Sequence, residues 1–186
     1  MKKLSFWMPL AVAAVIVALD QIAKALVVSA IPEGSIFARS IGDFIWIVHT
    51  RNTGAAFSIG ASSPPMLRFF FFIAFPLAVL VGVFVYYFTC KNCSMGLRWS
   101  IGFILSGGIG NLIDRIFRQN GVVDFISINM YGLFGMERFA TFNIADSAIT
   151  IGEILLVLSL IIMEFQKPKE HLESIPENNR REESEK

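Results

Sequence analysis

Four apolar runs, each about twenty residues long, decide what this chain can fold into. They extend from about Trp7 to Val28, Leu67 to Phe88, Leu97 to Phe117 and Phe142 to Met163. A helix rises ~1.5 Å per residue, so each run is long enough to cross a hydrocarbon layer ~30 Å thick. Composition agrees: 54% of residues are hydrophobic and only 17% charged, against about 45–50% and ~25% in soluble domains. The runs predict an all-α polytopic membrane protein with four transmembrane helices in a single unit. A net charge of +1 with no basic stripe gives no reason to expect a nucleic-acid partner.

The first run follows Lys2 and Lys3 and is read as an uncleaved helix, being long enough to span and lacking a small-residue cleavage site. Residues 30–65 form a mixed loop in which FIWIVH (44–49), rich in β-branched and aromatic residues, predicts a short strand. Pro76 lies inside the second run, where membrane helices tolerate it. A short turn, Thr89–Met95, carries Cys90 and Cys93; without a second pair they are read as two reduced thiols rather than a metal or redox site. Residues 1–165 are expected as the membrane unit and residues 166–186 as a disordered charged cytoplasmic tail, KPKEHLESIPENNRREESEK after Gln166. No internal repeat relates the runs, which weighs against an inverted-repeat transporter.

Lysine sets the orientation. Lys2, Lys3, Lys91, Lys167 and Lys169 fall on one side with Arg98, while the other side has only Arg39, Arg51, Arg68, Arg118 and Arg138. The positive-inside rule then puts both termini in the cytoplasm and both long loops outside. Depth follows from helical rise. Asp20 lies ~20 Å beyond Trp7 and Asn111 ~21 Å beyond Leu97. Asn143 and Asp146 open the fourth run, and Asp124 follows the third. Polar groups from three helices therefore gather in the outer half of the bilayer, where random placement would scatter them, and intramembrane carboxylates mark function by default.

Several chemistries compete for this cluster. Asp20 and Lys24 stand i, i+4 and are read equally as a self-neutralising pair or as part of a site. Asp114 and Arg115 at a helix end are open to reading as interfacial anchors, although Gly102, Ser106 and Gly110 on the same helix predict a close helix neighbour. Glu153, two turns beyond Asp146, is left undecided. His49 and His171 are the only histidines and HExxH is absent, which disfavours zinc hydrolysis and a serine–histidine arrangement. A serine–lysine pair is disfavoured because Asp20 favours a charged Lys24. There remain a carboxylate pair, Asp124 with Asp146, sharing one proton without metal or cofactor, and a proton- or ion-coupled carrier using Asp20, Asp114, Asp146 and Glu153.

Five motifs in order narrow the choice: Asp20-x-x-x-Lys24, RNTGAAFS (51–58), GNLIDR (110–115), VVDF (122–125) and FNIADS (142–147). With them the chain resembles the lipoprotein signal peptidase (signal peptidase II) family up to the tail. The resemblance implies an aspartic endopeptidase of the bacterial cytoplasmic membrane that cuts prolipoproteins just before a diacylglyceryl-modified cysteine. It implies Asp124 and Asp146 as the catalytic dyad, with Asn52, Asn111, Arg115 and Asn143 around it; Asp20, Lys24, Asp114 and Ala145, which lie in the matched motifs, and Gly54, which allows close backbone approach, complete the expected supporting or substrate-binding residues. It also implies a small extracytoplasmic β-structured cradle and inhibition by globomycin-type peptides; membrane lipid is a further expected partner and a monomer the expected state. The stretch MYGLFGMER makes the connection between the two aspartates longer than the family's common form.

Overall fold

The computed structural model describes residues 2–54, 60–118 and 120–165. The expected tail, and the AAFS end of RNTGAAFS, lie outside these. Five helices and one small sheet follow in the order α1 (Lys2–Ala30), β1 (Ile36–Ser40), β2 (Ile45–Asn52), α2 (Pro65–Phe69), a π turn (Phe70–Ala74), α3 (Phe75–Thr89), α4 (Met95–Phe117), β3 (Val122–Ile128), a 3₁₀ turn (Leu133–Gly135) and α5 (Ile144–Phe165). The second expected run is thus helix, π turn and helix. Pro76 lacks an N–H and its ring crowds the carbonyl of Phe72, and the wider π turn there accommodates both.

Among the described residues, three helices are long and apolar enough to cross a membrane: Leu4–Ala30, Pro65–Thr89 and Ile144–Phe165. Helix α4 is long enough but carries Arg98, Asn111, Asp114 and Arg115 among its glycines. It is also the helix that the others enclose, packing on α5, α1 and α3, so its surface meets protein more than lipid. Close approach depends on residues without side chains. A Cβ on Gly102 would lie 2.9 Å from the Pro9 carbonyl oxygen of α1, and one on Gly107 would lie 2.2 Å from the Ala145 carbonyl oxygen of α5. By contrast α1, α3 and α5 turn large apolar side chains outward all along their length, the pattern of a surface meant for hydrocarbon.

The sheet has the antiparallel order β1–β2–β3. The expected strand at 44–49 is β2, longer at its C-terminal end. Strand β3 replaces what reads in the sequence as the start of an apolar connection, and its pairing sets Thr50 opposite Asp124 and Asn52 opposite Val122. Val27 of α1 and Ile31 just beyond it pack against Val123 and Phe125 of β3, which fixes the sheet over the end of α1. At the far end Tyr87, Leu97, Ile101 and Leu105 form a second cluster, closed by the Tyr87 hydroxyl donating to the Phe6 carbonyl.

One expectation is corrected. Cys90 and Cys93 are joined by a disulfide rather than standing as reduced thiols. α3 ends at Thr89 and Ser94 caps α4, and the tight turn between holds the two Cα atoms 5.7 Å apart, within bonding range.

Candidate active site

The site is built on a buried ion cluster at the end of the bundle that carries the sheet. Asp20, Lys24 and Asp114 all have 0% exposure, and buried charges persist only when paired and fully hydrogen-bonded. Lys24 Nζ lies 2.9 Å from Asp20 Oδ2 and 3.2 Å from Asp114 Oδ2, and it donates to Asn111 Oδ1 at 3.0 Å. All three ammonium hydrogens are thereby used. The pairing of Asp20 with Lys24 is real, but it is only half of what Asp20 does.

The remaining carboxylate oxygens hold backbone. Asp20 Oδ1 accepts the Ala145 N–H at 3.0 Å, one of the amide groups that the start of α5 leaves without an intrahelical partner. Asp114 Oδ2 accepts the Val123 N–H at 3.0 Å. Ala145 immediately precedes Asp146, and Val123 immediately precedes Asp124. Each buried acid therefore clamps the peptide next to one candidate catalytic aspartate, and Lys24 ties the two clamps together. Asp114 Oδ1 is in turn held by Gln21 at 3.2 Å and by Arg118.

A second tier orients the two carboxylates. Asn143 donates from Nδ2 to Asp124 Oδ1 at 2.7 Å, and Asn111 donates from Nδ2 to Asp146 Oδ1 at 2.7 Å. The two amides are themselves linked, Asn143 Nδ2 to Asn111 Oδ1 at 3.1 Å. Asn143 also caps α5. Its Oδ1 accepts the Asp146 N–H at 2.9 Å, while its own N–H donates to Asp146 Oδ2 at 3.0 Å. This is a reciprocal capping box with Asn and Asp in the two roles, so the fold that starts α5 also fixes the rotamer of Asp146. On the sheet side the Thr50 hydroxyl donates to the Asp124 carbonyl at 3.1 Å, and Asn52 hydrogen-bonds the Asp124 carboxyl. Asn52 is steadied by the Gly54 N–H at 3.0 Å. Arg115 donates to the Gly54 carbonyl at 2.7 Å and lies over the Phe72 ring.

Both aspartates line one cleft of ≈ 250 Å³, together with Asn52, Asn111 and Arg115 and an apolar wall that includes Phe139, Phe142 and Ile149. Asp124 is only 3% exposed. Burial, followed by the charge of Asp146, raises its pKa to about 7, against the lowering effect of hydrogen bonds from Asn143 and Asn52 and of the Lys24 charge. A carboxyl that keeps its proton near neutrality beside a second carboxylate in a polar cleft is an arrangement suited to acid–base chemistry.

The structure brings Asp20, Lys24, Asn52, Gly54, Asn111, Asp114, Arg115, Asn143 and Ala145 into contact with the two aspartates or with each other. Glu153 is not among them; it sits on the exposed side of α5. Gln21, Thr50 and Arg118 were missed. Two of them carried a signal: Gln21 is a polar residue next to Asp20 in an apolar run, and Arg118 lies one turn after Asp114.

Comparison with known proteins gives a consistent result. The family model described as Signal peptidase (SPase) II matches residues 12–162. The lipoprotein signal peptidase of Treponema pallidum (strain Nichols) is 45% identical over 159 residues, 85% of each chain. That of Borrelia turicatae (strain 91E135) is 44% identical over 144 residues, 77% of this chain and 84% of the relative. Among solved structures, a bacterial membrane enzyme determined by the in meso method at 2.3 Å superposes with a TM-score of 0.75 at 30% identity, covering 87% of this chain and 92% of that one.

Proposed function

The chain belongs to the signal peptidase II family, and from that premise we propose that it is an aspartic endopeptidase that removes signal peptides from prolipoproteins. The cut would fall before the diacylglyceryl-modified cysteine, with Asp124 and Asp146 as the reacting pair. The observation that carries this reading is the matched support of the two carboxylates: each lines the same cleft, each accepts an asparagine amide at 2.7 Å, and each follows a residue clamped by a buried acid.

The chemistry then runs as follows. Asp124 holds the shared proton, as its deep burial and its pKa of about 7 favour, and Asp146 is ionised, with the Asn143 N–H and the Asn111 amide bearing on its charge. Asp146 takes a proton from a water whose oxygen adds to the scissile carbonyl carbon, while Asp124 gives its proton to the carbonyl oxygen. Breakdown of the tetrahedral diol returns a proton to Asp124 as the carbonyl re-forms, and Asp146 delivers its proton to the leaving amine. The lipid on the substrate turns recognition into positioning, since acyl chains in the bilayer hold the scissile bond at a fixed depth. The apolar wall of Phe139, Phe142 and Ile149 suits such a substrate.

We further propose that α4 is the fourth span, that residues 1–165 form the membrane unit with 166–186 as its tail, and that both termini are cytoplasmic with the cleft toward the outer face. The lysine distribution supports this orientation; the Cys90–Cys93 bond argues against it, disulfides being rare in a reducing cytosol, and reporter fusions at each terminus decide. Globomycin-type peptides would act in the same cleft on a monomer. The test of function uses a precursor with and without its diacylglyceryl group. Asp124→Asn and Asp146→Asn should each abolish cleavage of the lipid-modified form, at least a hundredfold by the usual contribution of a general acid or base, while the protein still inserts. Retained cleavage in either variant removes the dyad.

A further inference from the structure

A second cavity, of ≈ 210 Å³, lies beside the catalytic cleft and shares Arg115 with it. Its polar wall is formed by Arg68, Arg115 and Arg118 with Thr53, and among the described residues no acidic side chain lines it. The charges are unequally answered. Arg118 is paired with Asp114, and Arg115 donates to the Gly54 carbonyl. Arg68 forms no ion pair among the described residues, and its Nε is buried without a hydrogen-bond partner. A buried donor left unmatched in this way is costly unless something outside the chain accepts from it.

The position narrows what that acceptor is. Arg68 lies in the last turn of the short helix α2, and Arg115 and Arg118 lie at the end of α4, ~30 Å along the helix from its first residue. All three stand at the same end of the bundle as the sheet. Phe69 and Phe72 complete the cavity wall, and Phe69, Phe70 and Phe71 are 59%, 51% and 55% exposed beside it on the lipid-facing surface. Guanidinium forks match the oxygens of phosphate in pairs, and basic pockets between membrane helices take lipid headgroups. We propose that this cavity is a binding site for the phosphodiester of an anionic phospholipid, whose glycerol and first acyl carbons lie on Phe69 and Phe72. Free phosphate offers the same oxygens but leaves the aromatic wall unused. The bound phosphate also acts on the neighbouring cleft: it fixes the Arg115 guanidinium, so bilayer composition bears on the reaction through one shared side chain.

The site is tested by binding, without proteolysis, so its failure is separable from failure of the peptidase reading. Delipidated full-length protein in detergent is titrated with phosphatidylglycerol and, separately, phosphatidylcholine of identical chains, and bound lipid is counted by native mass spectrometry. Both lipids carry the phosphodiester, but the choline cation of phosphatidylcholine sets a like charge beside the three guanidinium groups, so the expected preference for phosphatidylglycerol is roughly tenfold or more. Arg68→Gln should bring it near unity, and Arg68→Lys, which keeps the charge and loses the fork, should fall between. Arg39→Gln, which removes an exposed cation from β1, should leave it unchanged. Equal preference in wild type and both Arg68 variants overturns the proposal, as does an equal loss in Arg39→Gln. Inorganic phosphate at millimolar concentration should leave the lipid bound; its displacing the lipid would assign the cavity to free phosphate instead.

Discussion

Replacing Asp124 by asparagine should abolish the proposed chemistry and make the protein more stable, by an amount that depends on pH. Asp124 titrates at about 7 in the folded chain, against 3.8 for an ordinary aspartate, chiefly because it is buried and secondly because Asp146 lies near. Between those two values the folded state keeps a proton that the unfolded state has released. Unfolding then releases a proton, so stability falls as pH rises from ~4 to ~7 and is level above that. At ~1.4 kcal/mol per pH unit the whole span is about 4 kcal/mol. Asparagine keeps the carbonyl oxygen that accepts from Asn143, and it has no charge to lose. The difference between variant and wild type should therefore grow by about 3 kcal/mol from pH 5 to pH 8, while the contributions of titrating groups that do not interact with Asp124 cancel. Thermal unfolding in one detergent, followed by tryptophan fluorescence at unit steps of pH, measures it. A difference that stays flat across this range, or a variant less stable than wild type at pH 8, would refute the argument that the site holds Asp124 protonated at a cost.

Turnover of a lipid-modified precursor should decline above pH ~7, as Asp124 loses the shared proton; an alkaline limb displaced beyond pH 9 would mean that another group donates. Lys24→Met leaves Asp20 and Asp114 buried at 0% exposure without their common cation, and should cost about 3–5 kcal/mol, read as lost folded yield or a lowered midpoint. Gly107→Ala places a Cβ 2.2 Å from the Ala145 carbonyl oxygen, which forces α5 away from α4 at a cost of about 1–3 kcal/mol. Because Ala145 adjoins Asp146, its activity should fall further than its stability, and unchanged activity would show that the close approach does not set the dyad.

The sequence carries much of this plan in side chains and little of it in backbone. Residues whose chemistry is unusual for their surroundings, such as Asp20, Lys24 and Asn111 in apolar runs, stand out because hydrocarbon makes them expensive. The depth arithmetic that groups them uses only helical rise, and α1, α4 and the start of α5 bring the same residues together. The third apolar run was legible as a helix, but not as the one enclosed by the rest, since that depends on which partners fill its glycine faces. β3 was passed over although VVDFISI is rich in β-branched residues, because its pairing with β2 spans a separation of seventy residues or more and an intervening helical pair. Cys90 and Cys93 pointed the wrong way because a turn's closure is a matter of geometry rather than composition.

The function of Asp20 and Asp114 was hidden for a further reason. Their decisive partners are the N–H groups of Ala145 and Val123, and every residue except proline has an N–H, so nothing in the letters marks these two. Yet they explain why a buried ion cluster is present. Exchanging such a cluster for well-packed apolar side chains is often neutral or stabilising by ~1–4 kcal/mol, so stability alone does not account for Asp20, Lys24 and Asp114. An apolar trio could hold α1 against α4, but it has no acceptors for the two peptide groups and could not fix the backbone immediately before Asp124 and Asp146. The cluster is better understood as a positioning device. It places the two candidate catalytic carboxylates, one arriving from a strand and one from a helix, alongside the short backbone bridge between Ile126 and Phe142, and it does so through one lysine that both acids share.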